Sequence, residues 1–244
     1  MARSSCTRRQ NLHAAMEREK QGATAMSTAR QQILGRIRSG LKRGPLNEQQ
    51  QAHLSQELKS RKRTTQPARA KVTGQTALDD FKAMALEVAT EIVNLANLEE
   101  LPQAMSQLMQ DSNLTQQPLV LANEPDLVAL NWAAASINTD MRASTKGDSI
   151  SLTNSLCGVA ETGTLVLRSS PNSPTTLNLF PDIHCAVLHK DNIVAGYEDA
   201  WDWIRNGGIP RTVNFITGPS RSADLEQTLR MGAHGPKRLV IFLV

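Results

Sequence analysis

The segment RLVIFLV (238–244) is a short, continuous run of β-branched, aromatic and other apolar residues. A run of this length and composition predicts a strand. Three further runs of the same kind precede it, namely GTLVLRS (163–169), IHCAVLH (183–189) and TVNFITG (212–218), and PLVLA (118–122) predicts another buried strand. The segment YEDAWDWIRN (197–206) between them predicts a helix. Because strands alternate with helices, we predict an α/β domain with a mostly parallel sheet flanked by helices and an antiparallel insertion near 164–195.

Upstream of these strands, apolar residues recur at intervals of three and four positions. This spacing predicts one buried helix that packs on the sheet. The residues concerned are Leu78, Phe81, Ala85, Val88, Ile92 and Leu95. We expect further helices near 102–109 and after Glu124-Pro125.

The net charge of +4 is unevenly distributed along the 244 residues. Residues 1–74 contain 16 Lys and Arg against 4 Asp and Glu, whereas residues 75–244 contain 11 against 19. This asymmetry predicts a basic arm on a mildly acidic domain. The cysteines Cys6, Cys157 and Cys185 form no C-x-x-C pair, which argues against a disulfide framework or a metal cluster held by this chain. We expect a cytoplasmic protein without a transmembrane span and without a cofactor of its own.

The basic arm divides into three parts. Met26 opens MSTARQQILGRIRSGLKR (26–43), an amphipathic helical pattern, so we expect translation to begin there and residues 1–25 to be a disordered or untranslated extension. A second, polar helix is predicted after Asn47, and a basic linker rich in turn-forming residues ends near Thr76. We therefore divide the chain into residues 1–25, a helical arm and linker over 26–75, and an α/β domain over 76–244.

The stretch ITGPSRSADLEQTLRMGAHGP (216–236) predicts a strand, a turn at Gly218 and a helix over 222–232. Crevices beyond the carboxyl ends of parallel strands bind ligands, and the free N–H groups of a helix start favour anions. Ser220 and Arg221 would contribute to such a site. Asp224 could instead satisfy the positive helix end itself, so a capping role without any ligand is the alternative.

The second polar constellation is GVAETGTLVL (158–167). Here Glu161 stands beside Thr162 and Thr164, immediately before an apolar strand. Its carboxylate could act as a general base, a nucleophile or a ligand for a polar substrate. The alternative is a turn glutamate held by neighbouring N–H and hydroxyl groups.

Two histidines fall within the patterned part of the domain. Asp182 and His184 would lie on one strand face, which suits an oriented imidazole, although a structural histidine is the alternative. His234 lies in GAHGP, where it could simply sit near the carbonyl groups that end a helix. No P-loop, Rossmann or G-x-S-x-G motif occurs, and the histidine spacing predicts no metal site.

The combination of GVAETGTLVL, FPDIHCAVLH (180–189) and the C-terminal ITGPSRSADLEQTLRMGAHGPKRLVIFLV resembles the bacterial lactate-utilisation protein C family, whose core is the LUD domain. The likeness runs from about Met26 and is strongest in the last 90 residues. It implies a fold similar to that of CoA-transferases and sugar-phosphate isomerases. It also implies a part in the oxidation of L-lactate to pyruvate alongside iron–sulfur partner proteins, whose clusters this cysteine-poor chain would not hold.

The resemblance also implies roles for particular residues. In CoA-transferase relatives a strand-end glutamate forms the acyl adduct, and Glu161 resembles that residue. Pattern and resemblance together predict a site for a small carboxylate such as lactate or pyruvate. One wall would consist of Gly218, Ser220, Arg221 and Asp224 and the other of Glu161, Thr162 and Thr164, with His184 and His234 nearby.

Three classes of function remain open at this point. The first is an accessory subunit of a lactate-oxidising complex, whose basic arm docks on an acidic partner. The second is a stand-alone enzyme that acts on a CoA ester or on a small phosphorylated or carboxylate substrate. The third is a nucleic-acid-binding regulator, although residues 27–74 contain no aromatic residue for base stacking, so specific binding is not expected.

The anion-site hypothesis predicts that Arg221→Ala abolishes growth on lactate and leaves the protein folded, because the guanidinium would supply the counter-charge for the carboxylate. Growth curves on lactate, with circular dichroism of the purified variant as the check on folding, measure this. Normal growth of the variant would refute the role of Arg221.

Overall fold

The computed structural model of the chain describes residues 29–42, 44–60, 63, 65–223, 229–231 and 235–244. The chain separates into two units, Met1–Lys62 and Arg63–Val244. Within the described ranges, no helix is both long and apolar enough to cross a membrane. The expectations for residues 1–25 lie outside the described residues, and the predicted domain limits stay a prediction.

The described part of the first unit consists of two helices, α1 over 29–40 and α2 over Glu48–Ser60. A reciprocal capping box starts α2, because the Gln50 N–H donates to Asn47 Oδ1 (2.8 Å) and the Asn47 N–H donates to Gln50 Oε1 (3.1 Å). No residue of α2 is buried. The predicted polar helix after Asn47 is thus confirmed.

The second unit is built on a six-stranded sheet in which every pair of neighbours is parallel. Its order is β1-β12-β7-β4-β2-β3, with strands β1 (Glu91–Asn94), β2 (Leu119–Leu121), β3 (Thr139–Asp140), β4 (Ile150–Asn154), β7 (Ile183–Leu188) and β12 (Arg238–Leu243). The flanking helices are α3 (Gly74–Glu87), α4 (Leu101–Asp111), the single turn α5 (Pro125–Val128) and α6 (Tyr197–Asn206). The predicted α/β fold, mostly parallel with flanking helices and an N-terminal helical arm, is confirmed.

Strand β12 shows how the sheet is buried on both faces. Val240 and Phe242 belong to the apolar core on one side, which α4 covers with Leu101, Met105 and Met109. The alternate residues Leu239, Ile241 and Leu243 belong to the core on the other side, which α3 covers with Ala77, Phe81 and Ala85. Successive strand residues point to opposite faces, so a strand covered on both sides reads as an unbroken apolar run.

A second sheet lies against the α3 side of the first. It has the order β8-β5-β6-β9, with β5 (Cys157–Val159), β6 (Thr164–Arg168), β8 (Ile193–Val194) and β9 (Val213–Ile216). Leu165 and Leu167 of β6 join the core that contains α3, while Val166 faces Ala200 and Ile204 of α6. Strand β6 pairs antiparallel with both β5 and β9, so the antiparallel portion extends beyond the 164–195 range that the sequence predicts.

Two helix predictions are wrong. The apolar stripe that begins at Leu78 does not form one helix, because α3 ends at Glu87, Ala89 has a φ of 61° and Ile92 lies in β1, opposite Ile241. The helix predicted over 222–232 is contradicted as well. Arg221–Ala223 (β10) and Leu229–Met231 (β11) pair as antiparallel strands.

Gly163, in the turn between β5 and β6, allows α3 to approach the second sheet. Its φ is +63°, and a Cβ atom there would lie 2.3 Å from the backbone nitrogen of Ala85. We predict that Gly163→Ala lowers the free energy of unfolding by about 3 kcal/mol, since backbone strain adds to overpacking. Gly74 has a nearly identical φ of +59° with open space around it.

The variant Gly74→Ala is therefore the matched control, because it carries the backbone strain without the close contact. Denaturant unfolding of both variants measures the difference. Equal losses of stability in the two variants would contradict the close-packing argument.

Candidate functional site

Glu161 lies in the turn that joins β5 to β6, and its backbone is anchored there. The N–H groups of Ala160 and Glu161 donate to the carbonyls of Val194 (2.8 Å) and Ala195 (3.1 Å). The Glu161 side chain is only 8% exposed, and its Oε1 accepts a hydrogen bond from Arg69 Nε at 3.0 Å. The Arg69 side chain is 70% exposed, so the charge of this buried carboxylate is balanced from the solvent side.

Four hydroxyl groups form a connected cluster beside this turn. Thr162, Thr164 and Tyr197 contact one another at 2.7–3.0 Å, and Thr164 also contacts Thr217 at 2.7 Å. The cluster contains four hydroxyl groups and four oxygen–oxygen contacts. Each hydroxyl can donate only one hydrogen, so all four contacts are hydrogen bonds only if each hydroxyl donates in one of them. Thr217 must then donate to Thr164, and its oxygen keeps only acceptor capacity for any other partner.

Thr217 connects this cluster to a cavity of about 250 Å³. The cavity lies at the amino ends of two central strands, since His184 and Leu239 are the second residues of β7 and β12. A hydrogen bond from the Ser220 N–H to the Pro236 carbonyl, at 2.8 Å, joins two parts of its wall. Further lining residues that bear on its chemistry are Asn178, Gly218 and Gly235.

His184 is fully buried in the wall of this cavity. Its Nε2 lies 2.9 Å from Thr153 Oγ1, on the neighbouring strand β4. Desolvation lowers the pKa of the imidazole to about 4, so the ring is neutral at neutral pH. Its Nδ1 has no hydrogen-bond partner among the described residues.

The contact with Thr153 indicates which nitrogen of His184 carries the proton. The buried Thr153 hydroxyl makes no other hydrogen bond within the described part of the chain, so its hydrogen needs Nε2 as an acceptor. In that arrangement Nε2 is unprotonated and Nδ1 carries the hydrogen. His184 therefore presents a neutral N–H donor that lacks an acceptor.

A second buried polar atom at the cavity is also unpaired. Asn178 is 3% exposed, and its Oδ1 finds no donor in the described residues. Buried polar groups are normally satisfied, so these two unpaired atoms, which belong to residues that line one cavity, are exceptions within the described part of the chain.

The cavity is not the crevice that the sequence predicts. Because β9 pairs antiparallel with β6 in the second sheet and is followed by β10, no helix start lies at the Gly218 turn. The helix-dipole argument for anion binding there is therefore wrong. Gly218 does have a positive φ of +82°, and a Cβ atom there would lie 2.6 Å from the Val88 carbonyl oxygen.

The structure brings several of the predicted site residues into one region. Gly218, Ser220 and His184 line the cavity, and Thr162 and Thr164 reach it through Thr217.

The remaining predicted residues lie elsewhere. Glu161 is paired with Arg69, and Arg221 is exposed on β10 and does not line the cavity. Asp182 forms an ion pair with Lys237 at 3.0 Å instead of orienting His184. Asp224 and His234 lie outside the described residues, so their predicted roles, like those of the other site residues, stay predictions.

Sequence reasoning missed the residues that complete these contacts. Two of them had a signal in the sequence that could have indicated a site residue. Tyr197 is the only tyrosine of the chain, and Thr217 directly precedes Gly218, where the sequence predicts a turn. Thr153, Asn178 and Arg69 carry no local signal, because their partners are distant in the sequence.

The carboxyl ends of β2 and β4 hold a separate polar group. The Asn154 N–H donates to Glu124 Oε2 at 3.1 Å, and Asn154 Nδ2 donates to both oxygens of Asp126. Burial raises the pKa of Glu124 above its usual range. Asp126 also borders a mainly apolar cleft of about 630 Å³ beside α4. The carboxyl edge of the sheet therefore has a cleft of its own, separate from the cavity at the amino edge.

Fold and site together define an α/β protein with a parallel six-stranded sheet, a second, mixed sheet packed against it and a small cavity lined by residues of both sheets. Comparison with known families gives the particular class. Residues 78–244 match the LUD domain, and the chain belongs to that family.

Several curated relatives are similar over part of the chain. A protein of Neisseria meningitidis serogroup B, NMB1437, named as uncharacterized, is 41% identical over 90 residues, which cover 36% of this chain and 39% of that protein. Lactate utilization protein C of Anoxybacillus flavithermus is 34% identical over 113 residues (46% of this chain, 51% of that one), and that of Bacillus subtilis is 40% identical over 100 residues (39% and 42%). The matches thus span about two-fifths to half of these relatives' lengths.

Among solved structures, a DUF162 family protein from Deinococcus radiodurans is similar, with a TM-score of 0.52 and 19% identity. The similarity covers 71% of this chain and 99% of that protein. At this level of identity the likeness supports the fold alone.

The buried histidine makes a testable contribution to stability. The folded pKa of about 4 lies below the ordinary value of 6.5, so the unfolded chain binds more protons between these pH values. The contribution of His184 is present above pH 6.5 and is lost as the pH falls toward 4. We expect a loss of about 3 kcal/mol in the free energy of unfolding between pH 7 and pH 4 from this group.

The variant His184→Gln keeps an amide that can meet Thr153 and removes the titrating ring. Urea unfolding at a series of pH values should give a flatter pH dependence for this variant than for the natural chain. Parallel pH profiles for the two proteins would show that the ring is not held neutral by burial.

Proposed function

We propose that this chain acts in lactate utilisation, as a subunit or accessory factor in the oxidation of L-lactate to pyruvate. The observation that carries this proposal is its similarity to relatives named Lactate utilization protein C, together with its LUD domain. Iron–sulfur proteins are the proposed partners and would hold the redox clusters. The proposed location is the cytoplasm, which agrees with the buried free thiols of Cys157 and Cys185.

The size and lining of the cavity support a small ligand. Ligand pockets for drug-sized molecules occupy about 300–1,000 Å³, and this cavity of about 250 Å³ falls below that range. It suits a metabolite with a few heavy atoms better than an entire CoA ester. This favours lactate or pyruvate over the CoA-type substrates of a stand-alone enzyme.

Glu161 keeps a place in the second candidate function. Its carboxylate is nearly buried at a strand end and paired with an exposed arginine, so displacement of Arg69 would uncover it. A nucleophilic role for Glu161 in an enzyme acting on CoA esters rests on this placement. Spectrophotometric turnover of a CoA ester by the isolated chain, lost in Glu161→Gln, would favour this alternative.

The basic arm supplies a docking element for the leading proposal. Residues 29–42 contain four basic residues and no acidic residue. On α1 and its C-terminal turn, Ile33, Ile37 and Leu41 are 50–60% exposed. An apolar helical stripe flanked by arginines suits an acidic protein surface with an apolar groove.

The complex can be tested by purifying the full chain with a C-terminal tag from lactate-grown cells. We expect mass spectrometry to identify iron–sulfur oxidoreductase subunits, and we expect Ile37→Asp to lose them because it places a charge in the apolar stripe. Gln32→Asp adds the same charge to the opposite side of α1 and serves as the matched control.

Each result has a distinct meaning. Recovery of the chain alone would contradict the complex, and retention of the partners by Ile37→Asp would contradict the docking role of α1. Loss of the partners in both variants would point to net charge, instead of the apolar stripe, as the basis of docking.

A further inference from the structure

The helix α1 carries an apolar stripe that is not buried within the described part of the first unit. Ile33, Ile37 and Leu41 are 50–60% exposed, and no described residue between positions 29 and 60 is buried. A helix as short as α1 is only marginally stable by itself in water. The stripe therefore needs a surface on which to pack.

The second unit contains a cleft of complementary character beside α4. Its volume is about 630 Å³, and its apolar lining includes Leu98, Pro102 and Leu130. Glu99 and Asp126 are exposed at the same cleft, and none of the described residues that line it is basic. A cleft that combines apolar and acidic groups suits an amphipathic helix with basic side chains.

The charges of α1 match those of this cleft. Residues 29–42 contain basic residues and no acidic residue. At 3.6 residues per turn, Arg36 and Arg38 lie on either side of the apolar stripe. When the stripe enters an apolar cleft, these arginines can therefore approach carboxylates such as Glu99 and Asp126.

The chain enters the second unit on the face opposite this cleft. Shortly after the end of α2, Arg63 forms ion pairs with Asp199 (2.7 Å) and Asp202 of α6. Helix α6 packs on the outer face of the second sheet, whereas the cleft lies with α4 on the far side of the six-stranded sheet. Both sheets separate the point of entry from the cleft, which favours a second copy of the chain as the source of the docked helix.

We propose that α1 of one copy docks in the cleft beside α4 of a second copy, and that two copies exchange these helices reciprocally to form a dimer. The dimer contains two identical contacts, and it is more stable than a single contact because both must break before the copies separate. This inference concerns the chain by itself and does not rest on the proposed function. A helix α1 held by a second copy is not free for an iron–sulfur partner, so the two uses of α1 exclude each other.

Sedimentation equilibrium of the purified full chain tests the association. We expect a species of twice the chain mass of 26.7 kDa at low salt. Its dissociation constant should rise about tenfold between about 50 mM and about 500 mM NaCl, because salt screens the contacts between arginines and carboxylates. A natural chain that stays monomeric at every concentration measured would overturn the inference.

Two variants assign the contact to its two sides. Ile37→Asp places a charge in the apolar stripe, and Ala134→Arg places a large cation at an exposed position of the cleft lining. Each should weaken dimerisation by about tenfold or more. The matched controls are Gln32→Asp, on the opposite side of α1, and Ala133→Arg, at an exposed position next to the cleft residue but outside the lining. Natural dimerisation of either Ile37→Asp or Ala134→Arg would contradict the role of that side.

A mixture of the two variants distinguishes exchange between copies from docking within one chain. Ile37→Asp keeps an intact cleft and Ala134→Arg keeps an intact α1, so one copy of each can form one of the two contacts. We expect native mass spectrometry to detect a mixed dimer, weaker than the natural one. A mixture that stays monomeric while the natural chain dimerises would overturn the pairing of α1 with the cleft.

The failure of this inference can be told apart from the failure of the proposed function. A monomeric chain that still recovers iron–sulfur subunits from cells would remove the dimer and leave the proposed complex in place. A dimer that recovers no such subunits would support the exchange of α1 and contradict the proposed complex.

Discussion

The burial of the central strands on both faces is the constraint on which the rest of the structure depends. Alternate residues of β12 enter two different apolar cores, so α4 must cover one face while α3 and the second sheet cover the other. Strand β7 obeys the same rule, with Cys185 and Val187 on one side and Ala186 and Leu188 on the other. Neither strand tolerates a one-residue shift of register, because every side chain would change faces.

This alternation also positions the candidate site. His184, Ala186 and Leu188 are alternate residues of β7, so their side chains lie on the same face of the strand, the one that faces the second sheet. It stands opposite Ser151 in the register of β4, and Thr153, two residues further along that strand, points to the same face and meets its imidazole. The cavity thus arises where the parallel sheet presents polar side chains near its amino edge and the Thr217–Ser220 turn passes over them.

The hydroxyl cluster of Thr162, Thr164, Tyr197 and Thr217 runs from the turn that contains Glu161 to the cavity. The two ends differ in electrostatics. Glu161 pairs with the exposed Arg69, whereas the described residues of the cavity wall carry no charged side chain. The ion pair and the uncharged cavity wall are therefore different places in the fold, although Glu161 and Thr162 are adjacent in the sequence.

The sequence by itself determined the α/β class, the family motifs and the central strands, because runs such as those at 183–189 and 238–244 have the length and β-branched composition typical of buried strands. It also predicted one site made of Gly218, Ser220, Arg221 and Asp224, of Glu161, Thr162 and Thr164, and of His184 and His234. Among the described residues of this set, Gly218, Ser220 and His184 line the cavity. The tertiary structure decided which strands share a sheet, where α3 stops, and that residues 221–231 contain paired strands where a helix was predicted. It also decided that Thr153 and Asn178, and not Asp182, define the surroundings of His184. Those outcomes depend on pairing between residues distant in the chain, and local periodicity carries no information about such partners.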